Sequence, residues 1–519
     1  TYYRFFQKAR NVYVIQDGKK CFRWMPHYFC AVGTSFFIGQ AVFSTLHYPL
    51  LFTFGASMTQ ICVLDACSGF LAAVIDFMLR SGPWGKLSRK SAFLIAASLN
   101  AIGYTVIIGF IMPMLSNDWF WAQLFAVFVT QTLAGLNLTV QEFAVMRNDW
   151  REDVVSEMEG NDQVTLTSFC GDISTSERYG LKLGHLSMLC RYLATIVANL
   201  IFGQYVNRKS HICSSYIFLG LLSAVHGIWL AWAWRKHVPR KHIQEDVDIK
   251  QDVAAEEEES RLLKGPLADL RPGGQYFRMA LSISFYNGGV EVVRKGYVRL
   301  LNLCVLQSHS IADDDLSLLL TITFSISCVF FWLADTASHS VPDAANSVFK
   351  WIKHDDSPLT GKMLVGTVSF LLMGLGHFFM GVWYNFYGLL VSAVFFGLGQ
   401  ATSTGLGTVI KDDMRSLMRR HHRSEAYRNR LMRIVNGVTM GVSIASSLLV
   451  ACFGNRPDIA SKFYACLALG GAFLSLMNAG SLPQACLPRE EMFNWAGVSE
   501  SDKEDTSQPF LESRDNSEM

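Results

Sequence analysis

Twelve apolar stretches, each about as long as a lipid bilayer is thick, are the feature of this sequence that most restricts its fold. A transmembrane helix needs roughly 20 mostly apolar residues. Helices are expected because lipid-exposed backbone must satisfy its own hydrogen bonds, and these stretches are too long for barrel strands. The sequence therefore predicts an all-α, polytopic membrane protein with twelve transmembrane helices at about 27–52, 56–79, 91–114, 119–146, 183–206, 213–234, 276–305, 315–337, 361–381, 384–410, 432–454 and 460–481.

Charged residues are segregated along the chain. They are nearly absent from 91–116 and dense in 234–278, which is the distribution that a bilayer imposes. Lys and Arg concentrate in every second connection, and such connections usually face the cytosol. We therefore expect both termini on the cytosolic side, with Arg208 and Lys209 as exceptions. The prediction rests on Arg4, Lys8, Arg10, Lys19, Lys20, Arg23, Arg80, Lys86, Arg89, Lys90, Arg147, Arg151, Arg178, Lys182, Arg415, Arg419, Arg420, Arg423, Arg428 and Arg430.

A polar, acidic segment separates six of the apolar stretches from the other six. It includes a run of glutamates at 256–259 and has no apolar stripe long enough to bury, so we expect a flexible cytosolic linker. The predicted divisions are a cytosolic N-terminal segment at 1–26, an N-terminal six-helix bundle at 27–234, the linker at 235–275, a C-terminal six-helix bundle at 276–482 and a cytosolic disordered tail at 483–519.

Short motifs recur at equivalent places in the two halves. The sequence MRND at 146–149 follows the fourth stretch, and IKDD at 410–413 follows the tenth. The sequence SERY at 176–179 precedes the fifth stretch, and SEAY at 424–427 precedes the eleventh. A duplicated six-helix unit is typical of the major facilitator architecture, in which two bundles flank a central cavity and rock about a site near the membrane midplane.

Two of these regions resemble a particular family of that architecture. The run LDA at 64–66, followed by Asp76 and then WGKLSRK at 84–90, resembles the second helix and following loop of the glycoside-pentoside-hexuronide cation symporters, the melibiose permease group. The Asp-rich end of helix 10 and the SEAY motif are similar to a later connection of the same family. The resemblance implies a transporter coupled to H⁺ or Na⁺. The family's second helix-2 aspartate is replaced here by Gly69, so its sodium and melibiose specificity does not carry over.

Asp65 and Arg191 are the predicted cation-coupling residues. An ionisable side chain at the bilayer centre costs roughly 2.5–3.5 kcal/mol on insertion scales, so it is expected to face a cavity or a partner. By the resemblance, Asp65 binds the coupling cation and Arg191 closes a charge network with carboxylates of helices 2 and 4. The alternatives are a structural carboxylate paired with an intramembrane Arg, and an Arg that extends to the membrane surface.

Helix 7 is interrupted by an unusual set of polar and charged residues, namely Tyr286, Asn287, Gly288, Gly289, Glu291, Arg294, Lys295 and Arg299. Glycine-interrupted helices at membrane depth line binding sites in transporters. The alternative is that helix 7 ends near Gly289 and that the charges beyond it are solvated. Polar side chains of helices 4 and 10 suit a polyhydroxylated or amide-bearing solute, but they are also common in helix packing. The predicted substrate-binding residues are Asn137, Gln141, Asn287, Glu291, Lys295 and Gln400.

The loop after helix 2 has a counterpart after helix 8. Asp76 precedes Gly85-Lys86 in the first half, and Asp335 precedes Gly361-Lys362 in the second. Charge contacts between helices at these positions would lock a cytosolic gate, although positive charge there is also explained by topology alone. The predicted gate residues are Asp76, Gly85, Lys86, Arg89, Asp335, Asp412 and Asp413.

The remaining motifs narrow the function. The sequence has no GxxxxGK[ST] phosphate loop, its twelve cysteines show no metal-type spacing, and a net charge of +2 gives no reason to expect nucleic acid. We therefore expect a monomeric, multi-pass transporter, not an enzyme, that moves a small polar organic solute such as a sugar and needs no cofactor. The alternatives are a carrier for a lysolipid or organic anion and a non-transporting scaffold or receptor with this fold.

Overall fold

The computed structural model is almost entirely helical. It describes residues 13–16, 19–22, 24–81, 89–116, 118–145, 175–203, 209–236, 275–307, 314–336, 358–383, 385–420, 425–452 and 456–486. A short antiparallel hairpin, β1 (Tyr13–Gln16) and β2 (Lys19–Phe22), precedes the helices. The sequence did not suggest this hairpin, which lies within the predicted N-terminal segment.

Six helical segments of the described chain precede the linker. They are α1 (Trp24–Thr53), α2 (Met58–Ser81), α3 (Arg89–Met114), α4 (Phe120–Val145), α5 (Thr175–Phe202) and α6 (Lys209–Lys236). Two of them widen into π-helix, α1 at Ala41–Leu46 and α3 at Ala101–Ile111.

Another six helical segments of the described chain follow the linker. They are α7 (Gln275–Gln307), α8 (Asp314–Thr336), α9 (Pro358–Val382), α10 (Phe386–Arg420), α11 (Glu425–Ala451) and α12 (Pro457–Cys486). Each apolar stretch of the sequence therefore coincides with a helix. Because α7 continues to Gln307, the alternative in which it ends near Gly289 is wrong.

Six stretches in the described residues are long and apolar enough to cross a membrane. They are Met58–Ile75, Ser91–Met114, Ser210–Trp232, Leu364–Val382, Phe386–Ser403 and Pro457–Leu476. Shorter apolar stretches occur at Met188–Phe202, Asp315–Phe331 and Gly437–Ala451. The middle of α7 falls outside this class because it carries Glu291, Arg294, Lys295 and Arg299. The protein is therefore an integral, multi-pass membrane protein.

The lipid-facing character of the surface is visible in its exposed side chains. Phe125 and Val225 are each 65% exposed, which water would disfavour but lipid does not. Trp119, Trp121 and Tyr387 are also exposed, and they lie near the beginnings of α4 and α10. Aromatic side chains at such helix ends are typical of the membrane–water interface.

The helix contacts repeat between the two sets of six. In the first set α1 packs on α5, α2 on α4, and α3 on α4 and α6. The second set has the same pattern shifted by six helices: α7 packs on α11, α8 on α10, and α9 on α10 and α12. The sets meet through α2 with α11 and α5 with α8, which are again equivalent pairs. The duplication that the sequence motifs indicate is thus present in the packing.

Candidate functional site

An ion pair between α2 and α7 joins the two sets of helices. Arg299 Nη2 lies 2.5 Å from Asp65 Oδ2, with side-chain exposures of 1% for Arg299 and 14% for Asp65. The second guanidinium nitrogen, Nη1, donates to Tyr464 Oη at 3.3 Å and approaches Cys62 Sγ at 3.2 Å. A fully buried arginine therefore has its charge balanced by a carboxylate from the other half of the chain.

Asp65 also receives hydrogen bonds from α1 and α4. Gln131 Nε2 donates to Asp65 Oδ1 at 3.0 Å and contacts His47 Nε2 at 2.6 Å. His47 Nε2 lies 3.5 Å from the same carboxylate oxygen, and the Tyr48 hydroxyl donates to Asp65 Oδ2 at 3.4 Å. We call His47, Tyr48, Asp65, Gln131 and Arg299 the Asp65 cluster. Its members come from four helices, so it holds α1, α2, α4 and α7 in one arrangement.

The π-helical segment of α1 leads directly into this cluster. It ends at Leu46, immediately before His47 and Tyr48. Such wide turns are rare and often lie at functional sites because they change the direction of the side chains that follow. Both side chains are buried and turn toward Asp65 of α2.

The Asp65 cluster lies toward one end of the helix assembly. We call this the distal end, where α1, α5, α7 and α11 finish and α2, α8 and α12 begin. Two further links between the halves lie near it. Thr59 Oγ1 donates to the Ala451 carbonyl at 3.1 Å, and Ser317 Oγ donates to the Asn199 carbonyl at 2.9 Å. The two halves are therefore in contact at the distal end.

The middle of α7 carries a second charged group. Arg294 Nη2 donates to both carboxylate oxygens of Glu291, at 2.9 and 2.7 Å. Lys295 Nζ lies 3.4 Å from Glu291 Oε1 and 3.5 Å from Ser443 Oγ of α11. Glu291 and Lys295 are 30% and 34% exposed. We call Glu291, Arg294 and Lys295 the α7 charge cluster.

The contacts of α7 show which way this cluster faces. A Cβ at Gly288 would meet Val442 of α11, Gly289 lies against Phe370 of α9, and Gly296 lies against Tyr464 of α12. Glu291 and Arg294 occupy the face of the helix that these contacts leave free. That face is turned away from the α9 and α12 residues that Gly289 and Gly296 meet, while Lys295 reaches Ser443 of α11.

Two predicted substrate-binding residues, Glu291 and Lys295, are brought together in the α7 charge cluster. Asn287 lies one turn before Glu291 on the same face, and its amide donates to the Ile283 carbonyl at 3.0 Å. Asn137 does not join them, because its amide is buried and donates to the Ala96 carbonyl of α3 at 2.5 Å. Gln400 is buried in α10, where its backbone carbonyl accepts from the Tyr192 hydroxyl at 3.3 Å.

The predicted coupling pair is not in contact. The ion-pair partner of Asp65 is Arg299 of α7, whereas Arg191 lies over the Phe36 ring at 5.8 Å from its centroid. The alternative expectation, a carboxylate paired with an intramembrane Arg, describes the Asp65 contact. Whether Asp65 and Arg191 couple a cation stays a prediction.

Several predicted residues lie outside the described part of the structure. This applies to Gly85 and Lys86 entirely, and to the side chains of Gln141, Asp76, Arg89, Asp335, Asp412 and Asp413. The prediction of a cytosolic gate is therefore untested. Among the described side chains, no group of three or more His, Cys, Asp or Glu could hold a metal ion.

His47 and Arg299 are site residues that the sequence prediction did not include. His47 is one of two histidines in the apolar stretch 27–52, the other being His27 at its start, and Arg299 is the last of the charged residues in helix 7. A charged residue that deep in an apolar stretch already implies a partner. Its identity depends on how α2 and α7 are rotated against each other, which helical periodicity alone does not give.

Comparison with known proteins gives a fold but no sequence family. No protein-family model matches the chain, and no curated protein matches it. A solved POT family transporter in complex with a thioalcohol-conjugated peptide is similar, with a TM-score of 0.55 and 12% identity over 91% of this chain and 98% of that one. The nucleoside transporter NupG has a TM-score of 0.53 and 13% identity over 90% of this chain and 100% of that one.

This chain has the major facilitator fold. The likeness extends over nearly the whole of both solved chains, and it includes both sets of helices. At 12–13% identity this likeness shows the fold but does not indicate a solute. The similar structures are transporters and not enzymes, in agreement with the expectation that this chain is not an enzyme.

Proposed function

We propose that the protein is a secondary transporter that moves a small polar organic solute by alternating access and couples this movement to a proton. In this proposal all twelve helices cross the membrane as two six-helix bundles, the protein acts as a monomer, and both termini are cytosolic. The distal end then faces away from the cytosol. The observation that carries the proposal is the buried Asp65–Arg299 pair, which links the two halves of the chain.

A buried pair at this place suits a moving part better than a rigid support. Removing two charges from water costs several kcal/mol per ion, and packed apolar residues of similar volume are often at least as stable. Within each half such packing is abundant, as at Tyr104, Ile108 and Tyr216 in the first half and Phe370, Met373 and Ala468 in the second. The Asp65–Arg299 ion pair lies instead where the halves meet, and there it can open and its two charges can be hydrated separately when water enters from one side.

The surroundings of Asp65 favour a proton over sodium as the coupling ion. Its carboxylate faces the Arg299 guanidinium, the Gln131 amide, the Tyr48 hydroxyl and the His47 ring. Hard cations require several oxygen ligands, and a guanidinium 2.5 Å from the carboxylate would repel Na⁺. Aspartate and histidine next to each other within a membrane are typical of proton relays.

The coupling step follows from charge balance. A proton on Asp65 removes the negative charge that holds Arg299, so the contact between α2 and α7 weakens and the distal end opens. Loss of the proton restores the ion pair and closes that end again. The solute binds between the halves next to the α7 charge cluster, which lies on the same helix as Arg299.

The nature of the solute remains part of the proposal. The sequence resemblance to the glycoside-pentoside-hexuronide cation symporters supports a sugar, whereas the similar solved structures are peptide and nucleoside transporters. The charges of α7 favour the alternative of an organic anion, because two cations there share a single carboxylate.

The test is solute-driven proton movement in liposomes that contain the purified protein and a pH-sensitive dye. We expect at least one class among sugars, nucleosides, dipeptides and carboxylic acids to carry protons inward. Asp65→Asn should abolish proton movement, because the amide cannot titrate. Asp458→Asn is the matched control, since Asp458 lies exposed at the start of α12. Proton movement that survives Asp65→Asn unchanged would contradict the role of Asp65.

A further inference from the structure

We infer that the solute carries a single negative charge, in the form of a carboxylate, and that Arg294 and Lys295 bind it. This inference rests on the proposed transport function and specifies its substrate class. It starts from the charges of the α7 charge cluster, in which one carboxylate faces two cationic groups. The three side chains of the cluster therefore carry a net charge of +1.

The two cations of the cluster differ in their exposure and in how firmly they are held. Arg294 holds Glu291 through one guanidinium nitrogen, Nη2, and its Nε is buried without a hydrogen-bond partner among the described residues. Lys295 is the more exposed cation, and its contacts at 3.4 and 3.5 Å are longer than strong charge-assisted bonds. A partly exposed and weakly held ammonium group thus shares Glu291 with a guanidinium whose Nε lacks a partner among the described residues, in the middle of α7.

The size of the excess charge selects the ligand class. A carboxylate brings one negative charge and balances the cluster. A phosphate monoester brings about −1.5 to −2 at pH 7 and would leave an excess negative charge in a site of low dielectric. A neutral sugar would leave the excess cation uncompensated, which is costly within a bilayer. The planar arrangement of Arg donors also matches a carboxylate.

The Asp65 cluster does not compete for this ligand. Its aspartate and arginine already balance each other, and Arg299 is 1% exposed. The Asp65 cluster and the α7 charge cluster therefore have separate tasks. The Asp65 cluster responds to a proton, and the α7 charge cluster recognises the solute.

Binding of matched solutes tests the inference directly. The probes are carboxylates paired with their neutral amides: glucuronate with glucuronamide, N-acetylalanine with N-acetylalaninamide, and succinamate with succinamide. Dissociation constants come from thermal-shift titrations of the purified full chain in detergent, since a ligand that binds the folded state raises its melting temperature. We expect the acid of at least one pair to bind measurably and its neutral partner to bind about tenfold or more weakly.

Substitution of a cation and substitution of the carboxylate should change the affinity for the acid in opposite directions. Arg294→Gln and Lys295→Gln should each weaken binding of the acid by about 10- to 100-fold, because each removes a charge-assisted bond. Glu291→Gln should strengthen it, because it removes the competing carboxylate. Arg456→Gln and Lys462→Gln are matched controls at exposed positions and should leave binding unchanged.

Equal or tighter binding of the neutral partners would overturn the inference, as would acid binding that survives Arg294→Gln and Lys295→Gln. Failure of all the acids to bind would also overturn it. The transport proposal is judged separately by proton movement in liposomes. Proton movement with neutral solutes alone would support the transport proposal and contradict the carboxylate inference. Acid binding without any proton movement would support the carboxylate inference and contradict proton-coupled transport.

Discussion

At the scale of single residues, the Asp65–Arg299 pair makes each partner dependent on the other. Breaking a buried pair by removing one partner typically costs about 3–5 kcal/mol, because the remaining charge stays buried. We expect Asp65→Ala to lower the melting temperature strongly, since it leaves the Arg299 charge unbalanced. The double variant Asp65→Ala, Arg299→Met should recover most of that loss, since no buried charge remains.

The measurement is a double-mutant cycle of thermal unfolding in detergent. The single variant Arg299→Met completes the cycle, and Asp458→Ala with Arg456→Met forms the matched exposed pair at 3.4 Å, for which we expect almost no coupling. Additive effects of the two buried substitutions would show that the pair is not a unit.

Sequence reasoning identified one partner of this pair and not the other. Asp65 is recognisable because a carboxylate within an apolar stretch is rare and costly. The family resemblance implied a charge network between Arg191 and carboxylates of helices 2 and 4. In the structure the ion-pair partner of Asp65 is Arg299. A single sequence gives the depth of a residue in its helix, but the rotation of one helix against another depends on the packing of all of them.

At the scale of helices, the contact between α5 and α8 holds the distal end through a glycine. A Cβ added at Gly203 would overlap the side chain of Ser317, whose hydroxyl donates to the Asn199 carbonyl next to it. We expect Gly203→Ala to destabilise the closed distal end by about 1–3 kcal/mol, the usual cost of overpacking.

The control is Gly470→Ala in α12, where an added Cβ would meet nothing within 4 Å. This substitution should be neutral or stabilise by about 0.5–1 kcal/mol, because alanine loses less backbone freedom than glycine in a helix. Both variants are compared by thermal unfolding. Ser317→Gly should rescue Gly203→Ala, and equal effects of the two alanines would contradict the close contact between α5 and α8.

Helix positions were the part of the fold most accessible from the sequence. Hydropathy located every helix because a bilayer requires a continuous apolar stretch. It did not locate the polar ends. For example, α5 begins at Thr175 and α10 extends to Arg420, beyond the apolar parts that the sequence predicts. The hydropathy pattern marks the apolar part of a helix. It does not mark the residue at which the helical hydrogen bonding ends.

At the scale of the whole molecule, the two halves carry different chemistry on one scaffold. The equivalent contacts of α2 with α11 and α5 with α8 show the duplication that the repeated motifs indicate. Among the described side chains the buried charged contacts are not duplicated, since both the Arg299 contact and the α7 charge cluster lie on α7. Short motifs reveal the duplication because they lie in connections that the two halves use alike, whereas the site depends on side chains particular to one half.

The central claim is that the two halves alternate between a closed and an open distal end under control of Asp65. It is tested by the distance between spin labels at Thr53, the last residue of α1, and Arg456, just before α12, measured by double electron–electron resonance in lipid nanodiscs. Non-canonical amino acids carry the labels, so the native cysteines stay in place. We expect a short distance for the unsubstituted chain at neutral pH, and a second, longer distance whose population rises at low pH and in Asp65→Asn. A single distance that is the same under all these conditions would contradict the account.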